Sequence, residues 1–482
     1  MKILVFTTHA NWNPHFETDL EIIQRHLDDG DEVVHLRCDA EMPACEINPR
    51  HAGGTCRQCM QGCKRGLGLL SSTIPSISFL KLTQADRREL AEFPKTFASQ
   101  EKLASLTIEN FDIGAAVLSS IISLERNPAI DTRIHHDLIA RFVTTSLLVY
   151  RSLQNHLDAA PMDRVYVFNG RLAPCRAVLR ACQSRGVTCF THERGHDLHH
   201  YELFENTTPL DIAYAEKDIH RYWVGAAADL GKRQAMAEKF YLDRARGMEQ
   251  SWYSFVSHQK KGLLPVNWDP SRKNLVIFNS SEDEFASIGP EWRNPIYPTQ
   301  LQGLAKIIES LKGGNGRFHV YLRIHPNLKK VKNADTEALW SLQADFLTVI
   351  APEDPTSTYA LIQNADKVLT FGSTVGIEAV FWGKPSILAG MSFYRNLGGT
   401  YNPRTHDELM DMLAADLPPK SPDAALMYGH YMQTYGIPFK RYAAASLATG
   451  RFKGTQVHIA FPRLRRAMGD RLYAKLSKMV GR

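Results

Sequence analysis

The strongest constraint on the fold is a pair of apolar runs in the second half of the chain, each ending in polar residues. The run FHVYL leads into Arg-Ile-His-Pro at 323–326, and KVLTF leads into Gly372-Ser373-Thr374 and the helical pattern VGIEAVF. A buried strand that passes through glycine into a helix is typical of a parallel α/β sheet. Ligands of such sheets bind at the carboxyl ends of the strands, so both polar segments are candidate site residues.

The residue types at these strand ends suit a nucleotide sugar. Backbone N–H groups, hydroxyls and the helix dipole at 372–374 predict a phosphate site. Arg323 and His325 are predicted to supply cationic donors to the same phosphate, and Glu378, further along the helix, to reach a ribose diol. The ordinary alternatives are an N-cap for 372–374, a turn residue for His325 and a solvated first-turn carboxylate for Glu378.

Length and composition favour a soluble protein of two domains. The chain has 482 residues, of which 44% are hydrophobic and 22% charged, so neither one core nor disorder is expected. An apolar run of membrane-spanning length and a signal peptide are both lacking, and the eight scattered cysteines do not suit a disulfide framework. A cytoplasmic location is therefore predicted.

The apolar runs predict the domain organisation. Residues 1–255 form a first domain with strands in KILVFTTH, DEVVHLRC, RVYVFNG and VTCFTHERG and a helical insertion at about 85–157. A linker at 256–271 precedes a second domain at 272–450, with strands in NLVIF, FHVYLRIHP, FLTVIA, KVLTFGS and SILAG. The predicted fold class is α/β, with two Rossmann-like doubly wound domains facing a cleft.

The positive charge of the chain is concentrated in a tail at 451–482. This tail carries nine Lys and Arg residues against the single Asp470. Basic and apolar residues alternate there at helical spacing, which is typical of a helix on an anionic membrane surface. A solvated helix packed on the body by one face is an equal alternative, and nucleic acid is not an expected partner.

A group of cysteines in the first domain is a candidate metal site. Cys45, Cys56, Cys59 and Cys63 are spaced C-x10-C-x2-C-x3-C. Four thiolates this close in sequence can hold zinc or an iron–sulfur cluster, and a structural zinc is the preferred interpretation. Cys38 can replace one ligand, and free thiols in a loop are the alternative.

The second domain resembles the GT-B glycosyltransferases, in particular the bacterial capsule and lipopolysaccharide polysaccharide-biosynthesis group that includes Kdo transferases and some sialyltransferases. The resemblance is carried by Arg323, His325 and Pro326, by Ser373 and Thr374, and by Gly376-Ile377-Glu378 and Gly383-Lys384-Pro385. It implies that these motifs bind the nucleotide, often CMP, and that the glutamate contacts ribose. In the first domain, FNGR (168–171) and HERG (192–195) resemble strand-end elements of the capsule enzymes.

Transfer of a sugar requires a base for the acceptor hydroxyl and stabilisation of the departing phosphate. Glu193, at a strand end, is the predicted base of an inverting reaction, with His192 or His196 as the runner-up. His325 with Arg323 is expected to stabilise the phosphate. Asn169, Arg171 and His196 are candidate acceptor-binding residues, although Asn169 and Arg171 also suit a turn. This scheme requires no cofactor, because protein cations replace a catalytic metal.

The predicted function is transfer of a sugar from a nucleotide donor to a surface polysaccharide or lipid-linked acceptor. CMP-Kdo or a related acidic sugar is the first candidate donor, and UDP- or GDP-sugars come next. Two alternatives remain: a polyol-phosphate transferase of the teichoic-acid type, and a non-catalytic nucleotide-binding subunit of a polysaccharide assembly complex. The sequence leaves the donor, acceptor, linkage and oligomeric state open.

Overall fold

A computed structural model describes residues 1–227, 229–248, 256, 258–312 and 318–457. The chain divides into two compact units. Within the described part, unit 1 comprises 1–125, 129–210 and 436–457, and unit 2 comprises 126–128 and 211–435. Among the described residues, we found no helix whose length and hydropathy would let it cross a membrane.

Unit 1 contains a seven-stranded sheet in the order β12-β6-β5-β4-β1-β2-β3. The strands β1 to β5 run parallel with β1 in the middle, whereas β6 is antiparallel to β5 and β12 is antiparallel to β6. The elements of unit 1 are β1 (Lys2–Thr7), α1 (His15–Asp28), β2 (Glu32–Arg37), α2 (Gly53–Leu67), β3 (Ser76–Ser78), α3 (Gln84–Glu92), α4 (Gln100–Ala104), α5 (Ile113–Glu125), α6 (His136–Ala159), β4 (Arg164–Phe168), α7 (Ala173–Ser184), β5 (Thr188–Arg194), β6 (His200–Glu205), β12 (Ile437–Pro438), β13 (Tyr442–Ser446) and β14 (Thr449–Phe452).

Unit 2 contains a five-stranded, all-parallel sheet in the order β11-β10-β7-β8-β9. Side chains alternate along β7, so that Leu275 and Ile277 join one buried cluster and Val276 and Phe278 join another. The elements of unit 2 are α8 (Ile212–Val224), α9 (Leu230–Ala245), β7 (Lys273–Phe278), α10 (Gln300–Lys312), β8 (Phe318–Arg323), α11 (Ala334–Trp340), β9 (Leu347–Ile350), α12 (Thr358–Asn364), β10 (Lys367–Thr370), α13 (Val375–Phe381), β11 (Ser386–Leu388), α14 (His406–Ala414) and α15 (Asp423–Thr434).

Both sheets have the strand order of a doubly wound fold. In each unit the first strand lies centrally, the next two follow on one side and the following two on the other. The central parallel strands β1, β4, β7, β8 and β10 are buried on both faces, which is why they read as continuous apolar runs. The predicted Rossmann-like α/β fold class is confirmed for each unit, and helices α3 to α6 occupy the stretch predicted as a helical insertion.

The boundaries of the two units differ from the predicted domain boundaries, which were 1–255 and 272–450. Unit 2 already begins at Asp211, because α8 and α9 pack against α15. It ends at Tyr435, after which the chain returns to unit 1 and forms β12 to β14. Residues 258–271 form turns without a helix or strand. Most of the predicted basic tail, 458–482, lies outside the described residues.

The returning segment of unit 1 is held by the buried carboxylate of Glu21 on α1. This carboxylate accepts hydrogen bonds from the backbone N–H groups of Lys440 (3.0 Å) and Arg441 (2.9 Å) and from Nη1 of Arg441 (3.0 Å). Ile437 and Phe439 pack in the same cluster as buried Tyr201 of β6. The return therefore completes unit 1 with both a strand and a buried ion pair.

Candidate functional site

The candidate donor residues lie at one edge of the unit 2 sheet. The register aligns Phe278 of β7 with Arg323 of β8 and with Thr370 of β10, so these three strands end at the same level. Thr370 is separated from Arg323 by two strand spacings, about 10 Å, and Gly372 follows Thr370 by two residues. The structure therefore brings the two polar segments predicted from the sequence to a common edge.

Arg323 presents a buried guanidinium with two nitrogens that lack a hydrogen-bond partner. The side chain is 2% exposed, and its Nη2 donates to the backbone oxygen of Asp354 (3.0 Å). Within the described part of the chain, its Nε and Nη1 have no acceptor. Burial lowers the pKa of Arg323, while Asp354 and Glu353 raise it. Unsatisfied donors of a buried cation are costly, and an anionic ligand would remove that cost.

Burial favours the neutral form of the His325 imidazole, and its predicted role as a donor to the phosphate stays a prediction. Burial lowers its pKa to about 4, Asp283 acts in the opposite direction and Arg126 lowers it further. Its Nδ1 accepts a hydrogen bond from the N–H of Asn327 (3.2 Å), which places the proton of the neutral ring on Nε2. The backbone N–H of His325 donates to Oδ1 of Asn279 (2.7 Å) and so joins the ends of β8 and β7.

Gly372 and Ser280 lie side by side at the ends of β10 and β7. Gly372 has φ of +141°, and a Cβ there would lie 2.7 Å from the backbone oxygen of Met391 and 3.7 Å from Oγ of Ser280. The Ser280 side chain is 3% exposed, and its Oγ has no hydrogen-bond partner among the described residues. This hydroxyl is a further polar group available to a ligand at this edge.

Ser373 and Thr374 hold local structure at the start of α13, a helix of seven residues. Oγ of Ser373 accepts from the N–H of Val375 (3.3 Å), whereas Thr374 makes no side-chain cap. Tyr394 donates its hydroxyl to the backbone oxygen of Ser373. Because α13 has only seven residues, its dipole is expected to contribute less to phosphate binding than a long helix would.

Glu378 is buried and hydrogen-bonded to partners inside unit 2, and its predicted contact with ribose stays a prediction. It is 1% exposed; Oε1 accepts from Nη2 of Arg244 (3.0 Å) and from Thr374 (3.3 Å), and Oε2 accepts from the hydroxyl of Tyr359 (2.6 Å). Burial opposes the charge on Arg244, yet Glu378 and Tyr359 raise the pKa of Arg244 above its ordinary value. The pair joins α9 to α13, and no local sequence signal marks Arg244 as the partner.

Substituting Glu378→Ala is therefore expected to destabilise the protein. It would leave the buried hydroxyl of Tyr359 and the guanidinium of Arg244 without their acceptor, at about 1–3 kcal/mol for each buried donor. For a unit of this size, each kcal/mol lowers the melting temperature by about 2–4 °C. Thermal unfolding of Glu378→Ala checks this, with the exposed Glu309→Ala as control. An unchanged melting temperature would contradict the stabilising role.

In unit 1, aromatic and imidazole rings gather at the carboxyl ends of β1 and β4. Trp12 stacks on His9 with a ring-centroid distance of 5.2 Å, and His15 lies 3.8 Å from the ring of Phe168. Burial lowers the pKa of His9 to about 4, and burial together with Arg194 lowers that of His15. These rings are therefore neutral near pH 7 and form an aromatic lining at the strand ends.

Glu193 lies beside these rings and is oriented by Asn169. Its Oε2 accepts from Nδ2 of Asn169 (2.9 Å), and its Oε1 lies 3.7 Å from Nδ1 of His15. The Glu193 side chain is 15% exposed. Asn169 has φ of +57°, a left-handed conformation that asparagine tolerates, and this turns its amide toward Glu193. An oriented carboxylate beside a neutral imidazole can accept a proton.

His192, the runner-up base, forms a buried pair with Asp19 of α1. Its Nε2 lies 2.7 Å from Oδ1 of Asp19, and Oδ2 of Asp19 accepts from the hydroxyl of Thr7 (2.7 Å). Nδ1 of His192 has no partner among the described residues, and the side chain is 0% exposed. The pairing resembles a catalytic His–Asp dyad, but the His192 ring is closed to solvent, whereas the Glu193 side chain is 15% exposed.

The two other predicted acceptor-binding residues have partners within unit 1. Arg171 donates from Nε to Oγ of Ser119 (2.6 Å) and from Nη2 to Oγ of Ser123 (3.3 Å) on α5. Nε2 of His196 lies 3.5 Å from Oδ2 of Asp197. The hydrogen bonds of Arg171 to Ser119 and Ser123 anchor the loop after β4 to α5. Contact of Arg171 and His196 with an acceptor stays a prediction.

Only some of the cysteines of the candidate metal site lie near one another. Cys38, Cys45, Cys56 and Cys59 line one pocket, whereas Cys63 packs in a hydrophobic cluster with Phe16 and Leu20. Among the described residues these thiols do not form a group of three whose sulfur atoms lie within ligand distance of one another. Burial raises the pKa of Cys59 to about 11. A structural zinc on Cys45, Cys56, Cys59 and Cys63 stays a prediction that would require these residues to rearrange.

No curated protein matches the chain. Among solved structures, a β-Kdo 2,4-transferase, KpsC of Thermosulfurimonas dismutans, matches with 14% identity over 56% of this chain and 79% of that chain, at a TM-score of 0.37. A UDP-GlcNAc 2-epimerase of Methanocaldococcus jannaschii in complex with UDP-GlcNAc and UDP also matches, with 13% identity and a TM-score of 0.28. This match covers 89% of this chain and 98% of that chain. At these TM-scores the matches carry no argument about the fold, which rests on the strand order of the two sheets.

A family model provides a more specific comparison. The family described as capsule polysaccharide biosynthesis protein matches residues 294–441. This stretch includes Arg323, His325 and the loop from Gly372 to Thr374, the residues that carry the resemblance predicted from the sequence. Residues 294–441 therefore resemble capsule polysaccharide biosynthesis proteins, which confirms the predicted resemblance for this part of the chain.

Proposed function

We propose that the chain is a glycosyltransferase in which unit 2 binds a nucleotide-sugar donor and unit 1 binds the acceptor. The observation that carries the proposal is the buried guanidinium of Arg323, whose Nε and Nη1 have no acceptor among the residues that the structure describes. The match of residues 294–441 to capsule polysaccharide biosynthesis proteins supports it. A phosphate of the donor provides the acceptor oxygens that Arg323 lacks.

The other groups at this edge of unit 2 suit the same phosphate. Ser280 offers a hydroxyl, Gly372 allows close approach because it has no side chain, and His325 carries the proton of its neutral ring on Nε2. As the bond to the sugar breaks, charge grows on the departing phosphate, and fixed donors in a buried site stabilise that charge. The positive charge at this edge thus comes from Arg323, with hydrogen bonds from neutral groups.

In unit 1, Glu193 takes the proton of the acceptor hydroxyl as that hydroxyl attacks the sugar. Asn169 holds the carboxylate in one orientation, and the neutral ring of His15 leaves its negative charge in place. Trp12 and His9 provide a ring surface suited to the apolar face of a sugar. His192 is the second candidate base because Asp19 orients its ring.

The donor that we place first is a CMP-activated acidic sugar of the Kdo type, followed by UDP- and GDP-sugars. The acceptor is a surface polysaccharide or a lipid-linked glycan, and the reaction takes place in the cytoplasm at the inner face of the membrane. The resemblance of the second-domain motifs supports this order of donors. The basic residues of 451–482 support attraction to an anionic membrane surface.

A screen of nucleotides by thermal unfolding tests the donor class. We expect CMP or its diphosphate to raise the melting temperature more than uridine or guanosine nucleotides, since a ligand at about 100 times its Kd stabilises by about 2.7 kcal/mol. Cytidine without phosphate is the matched control and should have little effect. If all nucleotides leave the melting temperature unchanged, the proposal is contradicted.

Product analysis separates the remaining alternatives. A glycosidic product from the donor that binds supports the glycosyltransferase, whereas a phosphodiester product identifies a polyol-phosphate transferase. Nucleotide binding without turnover of any donor, together with indifference to replacement of Glu193, identifies a non-catalytic subunit.

A further inference from the structure

The turn between β5 and β6 of unit 1 brings three metal-ligating side chains together. One ligand atom each of His196, Asp197 and His200 lies within 4.8 Å of the other two. Asp197 presents Oδ2 to Nε2 of His196 at 3.5 Å and Oδ1 to Nδ1 of His200 at 2.6 Å, and the imidazole centroids are 4.1 Å apart. In the ranges that the structure describes, no other set of His, Cys, Asp and Glu side chains meets in this way.

The backbone around these side chains is fixed by hydrogen bonds on both sides of the turn. The N–H of Gly195 donates to the backbone oxygen of His200 (2.8 Å), and the N–H of His199 donates to Oδ1 of Asp197 (2.8 Å). Phe439 of the returning segment donates its N–H to the backbone oxygen of His199 (2.8 Å). The three side chains therefore project from a turn whose backbone is fixed by hydrogen bonds, and a metal site requires such fixed positions of its ligands.

Close packing behind the turn limits how far its backbone can move. A Cβ on Gly195 would lie 2.5 Å from Cβ of His200, and a Cβ on Gly436 would lie 3.0 Å from the same atom. Glycine at both positions thus lets the chain pass directly against His200. The ring of His200 is held beside Asp197 by this backbone as well as by its hydrogen bond.

We propose that His196, Asp197 and His200 bind a divalent transition-metal ion, with Zn²⁺ as the first candidate. Two imidazole nitrogens and one carboxylate oxygen are a ligand set that suits Zn²⁺. Ca²⁺ and Mg²⁺ prefer oxygen ligands throughout and do not suit two imidazoles. When the ion binds to Nδ1 of His200, it replaces the hydrogen bond between Asp197 and His200, and the neutral imidazole keeps its one proton on Nε2.

Three protein ligands leave at least one coordination position of a tetrahedral ion for water or another ligand. The site follows Glu193 directly in the chain, because β5 ends at Arg194 and the turn begins at Gly195. An anionic group of an acceptor, such as a sugar carboxylate, is the class of ligand that the open position would take. Metal binding itself does not depend on the proposed transferase activity.

The test uses the full chain with any histidine tag removed and with metals stripped by a chelator. Titration with Co²⁺ is followed by visible absorption, and Zn²⁺ affinity is then measured by competition. We expect binding of one Co²⁺ per chain with no thiolate-to-cobalt charge-transfer band. His196→Ala and His200→Asn are each expected to lower the affinity at least tenfold, roughly the least that even outer-shell substitutions cost.

Two controls separate this site from its neighbours. His199→Ala removes an exposed imidazole of the same turn and should leave affinity unchanged, because the fold uses only the backbone of His199 there. Cys56→Ser with Cys59→Ser removes two thiols of the cysteine pocket and should also leave the cobalt spectrum unchanged. Circular dichroism checks that each variant folds, and His200→Asn retains an amide that can bond to Asp197.

The proposal is overturned if wild type and both histidine variants bind Co²⁺ equally, or if folded wild type binds none. A thiolate charge-transfer band that disappears in the cysteine variant would also overturn it and assign the metal to the cysteine pocket. Each readout is a spectrum or an affinity, so a failed transferase assay leaves the result unaffected.

Discussion

Glu193→Gln is expected to lower the rate of sugar transfer by about 10²–10⁴-fold, the usual contribution of a general base. Glutamine keeps the shape of the side chain and can still accept the hydrogen bond from Asn169, so the substitution removes the basic group and little else. Affinity for the nucleotide should not change, because the proposed donor site belongs to unit 2. Turnover of the donor identified by thermal unfolding provides the measurement.

Two further variants make the assignment of the base specific. Glu205→Gln changes an exposed carboxylate at the end of β6 in the same unit and should leave turnover at the wild-type rate. His192→Gln removes the imidazole that is paired with Asp19. If Glu193→Gln is active and folded His192→Gln is not, the base is His192 and our assignment is wrong.

The second large effect is expected for Arg323→Met. Charge-assisted hydrogen bonds contribute about 1.5–3 kcal/mol, so losing the guanidinium should weaken nucleotide binding by about 10- to 150-fold. The nucleotide-dependent rise in melting temperature should largely disappear. Arg323→Lys should not restore it, because an ammonium group cannot reproduce the planar fork of the guanidinium.

The same substitution is expected to maintain or increase stability in the absence of nucleotide. Arg323 is 2% exposed and leaves two donors without partners, so an apolar side chain of similar length removes a cost that the free protein bears. Arg293→Met, at an exposed position of unit 2, is the control and should change neither the melting temperature nor the affinity for nucleotide. A melting temperature that falls well below wild type, with nucleotide affinity intact, would make Arg323 a structural residue.

The sequence predicts the strands of both sheets wherever the strand is apolar throughout. Strands such as β7 and β8 are buried on both faces, and their pattern is visible in any window of the chain. The strands that were not predicted carry weaker signals: β3 has three residues with the sequence SIS, and β6 has the polar sequence HYELFE. The alternation of strands and helices predicts that the strands of each sheet run parallel, whereas their order is seen only in the structure.

The sequence also predicts which strand ends carry the site, but not the state of each group. Arg323, His325 and Gly372 are recognisable because they end apolar runs. The neutral form of His325 depends on burial, and the pairing of Glu378 with Arg244 joins residues 134 positions apart. Neither has a local signature, so both could be seen only after the chain had folded.

The path of the chain through the two units has a consequence for its biosynthesis. Ribosomes add residues 437–442 after all of unit 2, yet Glu21 and the exposed edge of β6 need them as partners. A nascent chain that ends at residue 435 would therefore hold an unpaired strand edge and a buried carboxylate without its cation. Such intermediates attract chaperones and proteases, so premature termination there should yield aggregation-prone fragments rather than an independent unit 1.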